Sequence, residues 1–204
     1  MNNLKSYILL IFLFTFSLNT YSQKNYGSGY IITNQNDTIY GFLKDRKPPP
    51  FGKLYSKIRF KEKSNSVFAK KYSPYQISGY KINNVEYESK WIKVDRFFLK
   101  EDYKCIENCG EKAFLKVIVK GYLTYYQWEY IDGESGYIDA VDLLNKQNEN
   151  IYIKATQGVF GLKKDKLAAY FMDCPELAKQ ILTKQIKDPI SVANFYNKYI
   201  NNNN

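Results

Sequence analysis

The chain has 204 residues, with 30 Lys and Arg against 20 Asp and Glu and no histidine, so its formal charge near neutrality is +10. The missing histidine excludes Ser-His-Asp and Cys-His nucleophilic sites, histidine-ligated metals and imidazole acid–base chemistry. Three cysteines, Cys105, Cys109 and Cys174, cannot complete a four-ligand structural zinc site, so neither a metal nor a cofactor is expected.

Lys5 precedes an uncharged apolar run, residues 7–18 (YILLIFLFTFSL). A membrane-spanning helix takes about 20 apolar residues, whereas a run of this length followed by small residues fits a secretory signal peptide. Thr20 and Ser22 occupy the two small-residue positions, which predicts cleavage after Ser22 and a mature chain starting at Gln23. No later run reaches membrane length, so residues 23–204 are expected to carry no transmembrane segment and to work in the periplasm or at the cell surface. About 180 residues suffice for one domain with a core.

Residues 29–33 and 38–43, joined by NQND, read as a hairpin whose Asn and Asp tolerate the turn. Three consecutive prolines at 48–50 break the pattern, because proline has no amide to donate to a sheet. Alternation resumes at 56–61 and continues through 67–71, 79–82 and 85–94, with Asn83-Asn84 as a two-residue turn. Residues 96–112 form the longest polar interruption and hold Cys105 and Cys109. The strongest strand pair follows, AFLKVIV (113–119) and YLTYYQWEY (122–130), and 137–144 and 151–155 add shorter extended pieces.

From Leu162 the apolar period lengthens to that of a helix, through Leu167, Tyr170 and Phe171. Asp173 is the expected cap of a second helix, with Pro175 in its first turn and Glu176 as capping-box partner. Asp188-Pro189 starts a last helix with Val192, Phe195, Tyr196 and Tyr199 inward, and 201–204 reads as a frayed, disordered tail. The expected fold is α+β: a predominantly antiparallel β-sheet or partly closed barrel over 23–160, then two or three helices within 161–200 packed on the same domain.

In an oxidising compartment three thiols allow one internal bridge. Cys105 to Cys109 is one alternative, a bridge from Cys174 to either is another, and a free Cys174 is the third. At a helix N-terminus the dipole would favour a Cys174 thiolate. Candidate acid–base groups are limited to carboxylates: Glu86 and Glu88, two apart on one strand face, and Glu129, Asp132 and Glu134 around a loop. Such pairs hydrolyse glycosidic bonds when their separation is right, yet charged strand faces are far more often simply solvated, and no catalytic residue is assigned. Alternation puts Tyr122, Tyr126 and Trp128 on one strand face, a candidate aromatic binding face. Only Arg46, Arg59 and Arg96 are arginines; a lysine-dominated surface favours weak attraction to an anionic glycan or lipid surface over bidentate phosphate recognition, and nucleic acid is not an expected partner.

Read in order, GYIITNQNDTIYGFL, YSPYQISGYKINNVEYES, FLKVIVKGYLTYYQ and DCPELAKQI resemble an uncharacterised family of secreted Bacteroidetes proteins that share a signal peptide, an opening GYI…DTI.G hairpin, a YSP…GY segment, a FL.V.V.G strand pair and a closing DCP helix. Gln76 stands where that family more usually has an acidic residue. The resemblance covers nearly all of the mature chain and implies a cell-envelope setting without implying a reaction. It also makes Asp37-Thr38-Ile39 a match to the short pattern at which such proteins are O-glycosylated. The expectation is a non-enzymatic binding or accessory module for an envelope protein or glycan, with a carboxylate-dependent hydrolase of an envelope polymer as the alternative.

Overall fold

The computed structural model describes residues 26–47, 53–98 and 100–203; the expected signal peptide and the three prolines lie outside the described residues. Among the described residues, eleven strands form one continuous sheet. They are β1 (Gly27–Thr33), β2 (Thr38–Arg46), β3 (Leu54–Lys61), β4 (Lys70–Tyr72), β5 (Ile77–Ile82), β6 (Val85–Phe97), β7 (Lys100–Lys104), β8 (Glu111–Val119), β9 (Leu123–Ile131), β10 (Ile138–Lys146) and β11 (Ile151–Lys154). A 3-10 turn (Gly158–Phe160) leads to helices α1 (Lys164–Tyr170), α2 (Pro175–Leu182) and α3 (Pro189–Asn203).

The sheet branches at β6, whose 13 residues are long enough to serve two layers. Residues 86–92 pair with β8 along one edge. The other edge pairs first with β5, through Glu88, and then with β7, from Lys93 onward. Strands β6, β7, β11, β10, β9 and β8 thereby close a six-stranded antiparallel barrel, while β5, β1, β2, β3 and β4 fan out as an outer layer. The hairpin β1–β2 forms as its turn chemistry predicts, with Asn36 at φ 68°. Gly29 lies where a Cβ would sit 1.8 Å from the Lys81 carbonyl oxygen of β5, so only glycine fits that strand crossing.

Alternation along the barrel strands divides three apolar clusters. Ile92, Tyr103, Leu115, Tyr126, Leu143 and Tyr152 fill the barrel interior. Ile31, Leu43, Ile58, Phe60, Tyr80 and Tyr87 lie between the outer layer and the barrel wall. Leu123, Tyr125 and Leu144 face outward and bury Leu167, Phe171, Leu177, Ile181 and Val192 of the helices. Each such fully buried aliphatic side chain contributes about 1.5–3 kcal/mol. The Asn197 carboxamide of α3 accepts from the Leu123 amide (2.7 Å) and donates to its carbonyl (2.9 Å), pairing with the first residue of β9 as another strand would. Among the described residues no helix is long and apolar enough to cross a membrane.

Several boundaries differ from the sequence pattern. Strand β7 lies inside the expected polar interruption: only Tyr103 of KEDYK points inward, and ion pairs across to β6 and β11, Lys104–Asp95 at 2.7 Å and Lys154–Glu101 at 3.0 Å, replace the missing apolar alternation. Val67 and Phe68, expected in a strand, are 83% and 89% exposed in the β3–β4 connection. Cys174, not Asp173, is the N-cap of α2 and makes no side-chain cap bond. The Asp173 carboxylate instead accepts from Lys146 Nζ (2.8 Å) and the Tyr196 hydroxyl (2.6 Å). Asp188 does cap α3, accepting from the Ser191 amide at 2.9 Å, and α3 continues to Asn203 through three of the four asparagines expected in a disordered tail.

Candidate binding cleft

Where β2 runs out, Asp45 and Arg46 reach from the outer layer onto the barrel wall. Arg46 donates through Nε to Asp45 Oδ1 (3.1 Å) and through Nη2 to Asp45 Oδ2 (2.9 Å), Glu129 Oε2 (2.9 Å) and the Tyr87 hydroxyl (2.5 Å). Nη1 adds a second bond to Glu129, at 3.3 Å. The Tyr80 hydroxyl donates to Asp45, and the Tyr80 and Tyr87 rings stack with centroids 4.5 Å apart. Burial opposes the guanidinium charge, but the hydrogen bonds it donates to Asp45 and Glu129 overcome it and hold Arg46 more firmly protonated than usual. Burial, reinforced by the Glu129 charge, pushes the Tyr87 phenol well above its ordinary range. A planar fork that satisfies two carboxylates at once is a role lysine cannot fill.

This cluster forms the ridge between two open recesses, both of which touch Asp45, Arg46 and Tyr87. One, of about 490 Å³, is lined by Tyr26, Ser28, Lys44, Asn83 and Lys116. The other, of about 380 Å³, is walled by Tyr55, Tyr75, Phe114 and Trp128 and edged by Ser56, Ser73, Glu111 and Lys112. Tyr75 stands half out of the surface, packs edge-on against Trp91 at 5.5 Å, and is fixed by its hydroxyl accepting from the Lys112 amide at 3.1 Å. Aromatic walls with a few oriented polar groups at the rim are what a small-ligand or chain-binding cleft requires.

The aromatic face expected from β9 is divided. Trp128 borders the cleft. Tyr126 points into the barrel and donates to Glu88 at 2.7 Å, and Tyr122 lies before β9, 41% exposed, and lines neither recess. Both faces of β9 are core, one inside the barrel and one beneath the helices, whereas a sheet with one solvated face would have left one of them free.

Four of the five candidate carboxylates have partners. Lys120 Nζ lies 2.9 Å from Glu86 and 2.7 Å from Glu88, and Lys90 pairs with the second Glu88 oxygen at 3.1 Å. Burial alone would raise the Glu88 carboxyl, but the Lys120 hydrogen bond, the Lys90 charge and Tyr126 push it down to about 2. Asp132 accepts from the Ser135 hydroxyl and amide and is also lowered, Glu134 is exposed, and Glu129 is held by Arg46. A general acid at neutral pH needs a carboxyl raised toward neutrality, the opposite of what Glu88 and Asp132 show.

The three cysteines are unbridged. Cys105 donates its thiol to the Glu149 carbonyl at 3.2 Å and Cys109 sits in the following turn, its amide bonded to the Ile106 carbonyl. Cys174 is fully buried beneath the helices, and that burial raises its thiol where a helix dipole alone would have lowered it. Thr38 is exposed at the start of β2.

No family model, curated protein or solved structure matches this chain. The cleft therefore rests on its own geometry. The sequence pattern missed Asp45, Arg46, Tyr55, Tyr75 and Tyr87 as site residues. Arg46 and Glu129 are 83 residues apart in sequence, and nothing local to either marks them as partners.

Proposed function

We propose that this protein is a non-enzymatic binding module of a bacterial cell envelope that seats a glycan chain in the cleft beside Arg46. The observation that carries the reading is the cleft itself: Tyr55, Tyr75 and Trp128 offer flat apolar surfaces to sugar rings, Ser56, Ser73 and Lys112 offer hydroxyl-matching polar groups, and the charged floor is already satisfied by Arg46. Such a surface suits polyhydroxylated chains. The apolar run at 7–18 and the family resemblance support the envelope setting.

The test is binding of purified residues 23–204 to isolated envelope fragments at low and high salt, alongside Tyr75→Ala. Salt-resistant binding that weakens about tenfold in the variant, as for an interface anchor, supports the proposal. Binding abolished by salt, binding indifferent to Tyr75, or release of soluble fragments by the protein overturns it.

A further inference from the structure

The β6–β7 hairpin ends in two phenylalanines that pack on little but each other. Phe97 is 78% and Phe98 97% exposed, with ring centroids 6.0 Å apart. Phe98 has φ 56°, a left-handed conformation that turn positions normally give to Asn, Asp or Gly. A bulky aromatic there strains the backbone and, in the free protein, gains no burial in return, and such strain points to a role outside the fold.

Two exposed cations flank the pair, with Asp95, Glu101 and Asp102 further along the hairpin. Arg96 has 75% of its side chain exposed beside Glu101, and Lys100, paired with Phe97 across the hairpin, is exposed as well. Strand directions extend the patch. Strands β6, β9 and β11 run parallel to one another, since each is separated from the next in the barrel by one antiparallel neighbour. The Phe97–Phe98 tip, the β9–β10 loop and the turn after β11 therefore open at the same end of the barrel. Those last two carry Tyr137 and Phe160, 73% and 80% exposed. Asp132 and Glu134 are the acidic residues of the β9–β10 loop; the cations flank the phenylalanines.

We infer that this end of the barrel is a membrane-docking face, with Phe97 and Phe98 inserting into the interfacial region of a bilayer and Arg96 and Lys100 meeting anionic lipid headgroups. Aromatic side chains favour that depth, basic neighbours add attraction to anionic lipid, and the chain's charge of +10 acts in the same direction. The face shares no residue with the cleft, so the inference stands apart from the glycan reading. The two fit together in a protein that holds an envelope polymer close to a lipid surface.

The experiment is co-sedimentation of residues 23–204 with vesicles of phosphatidylcholine, with and without about one third phosphatidylglycerol. This stretch contains every described residue and lacks the apolar run at 7–18, which would bind lipid by itself. The expected result is binding to the anionic vesicles that falls at least about tenfold in Phe97→Ser/Phe98→Asn and is also weakened in Arg96→Gln/Lys100→Gln. Because Asn suits a positive φ, Phe98→Asn alone is expected to melt at or above the wild-type temperature while binding less, which separates docking from a structural role. Wild-type protein that stays in solution, a double phenylalanine variant that sediments like wild type, or equal binding to neutral and anionic vesicles overturns the inference. Tyr75→Ala leaves vesicle binding intact.

Discussion

Replacing Glu88 by Gln keeps a hydrogen-bonding group beside Tyr126 while removing the charge shared by Lys90 and Lys120. A carboxyl moved from its ordinary 4.5 to about 2 accounts for at most about 3 kcal/mol of folding free energy at neutral pH. The Glu88 side chain is only 18% exposed, but Lys120 is 60% exposed, and solvent screening reduces the expected loss to about 2 kcal/mol. The sign follows from the depressed folded-state value: the contribution is fully present above about pH 4.5, where the unfolded carboxyl is ionised, and disappears as pH falls toward 2. Urea unfolding of wild type and Glu88→Gln, followed by tryptophan fluorescence between neutrality and strong acid, measures the gap directly. It should be about 2 kcal/mol at neutral pH, level down to the unfolded-state value, and should narrow steadily below it. Other groups titrate in both proteins and cancel in the difference. A gap absent at neutrality, or one that persists undiminished in acid, would refute the ion-pair account and reopen Glu88 as a candidate acid.

Arg46→Ala strands Asp45 and Glu129 at the junction of the two layers, and removing one partner of a largely buried ion pair costs about 3 kcal/mol. In a protein of this size that lowers Tm by about 6–12 °C in a thermal melt, with Arg46→Lys falling between because it keeps the charge and loses the fork. Lys146→Ala removes an ammonium that lies 2.8 Å from Asp173 and 4.4 Å from the centre of the Tyr170 ring; the expected loss is about 3 kcal/mol, and amide exchange should rise first in α1 and α2. Gly29→Ala forces β1 and β5 apart at the Lys81 carbonyl, and tryptic digestion should then attack the outer layer ahead of the barrel. The Cys174 thiol should react with a maleimide only after denaturant is added, because it is fully buried. Labelling of the native protein at Cys174 would place it outside the core.

Local chemistry is legible in the order of the amino acids alone. The NQND turn, the Asn83-Asn84 turn, the alternation of 113–119 and 122–130, the helical period after Leu162 and the Asp188 cap each depend on residues a few positions apart, and each forms within a residue or two of where the pattern places it. The order of strands first and helices last then follows. Tertiary structure alone decided where those elements meet. Barrel closure puts both faces of β9 in the core, which turns Tyr126 inward and divides the expected aromatic face. Ion pairs to neighbouring strands carry β7, whose own residues show almost no apolar signal. Asp173 leaves its expected cap because Lys146, 27 residues away, offers a charge where the cap offers only an amide. The cleft exists because β6 belongs to two layers at once, which brings Arg46 of β2 against Glu129 of β9, and no short-range pattern encodes an ion pair that only a branched sheet can close.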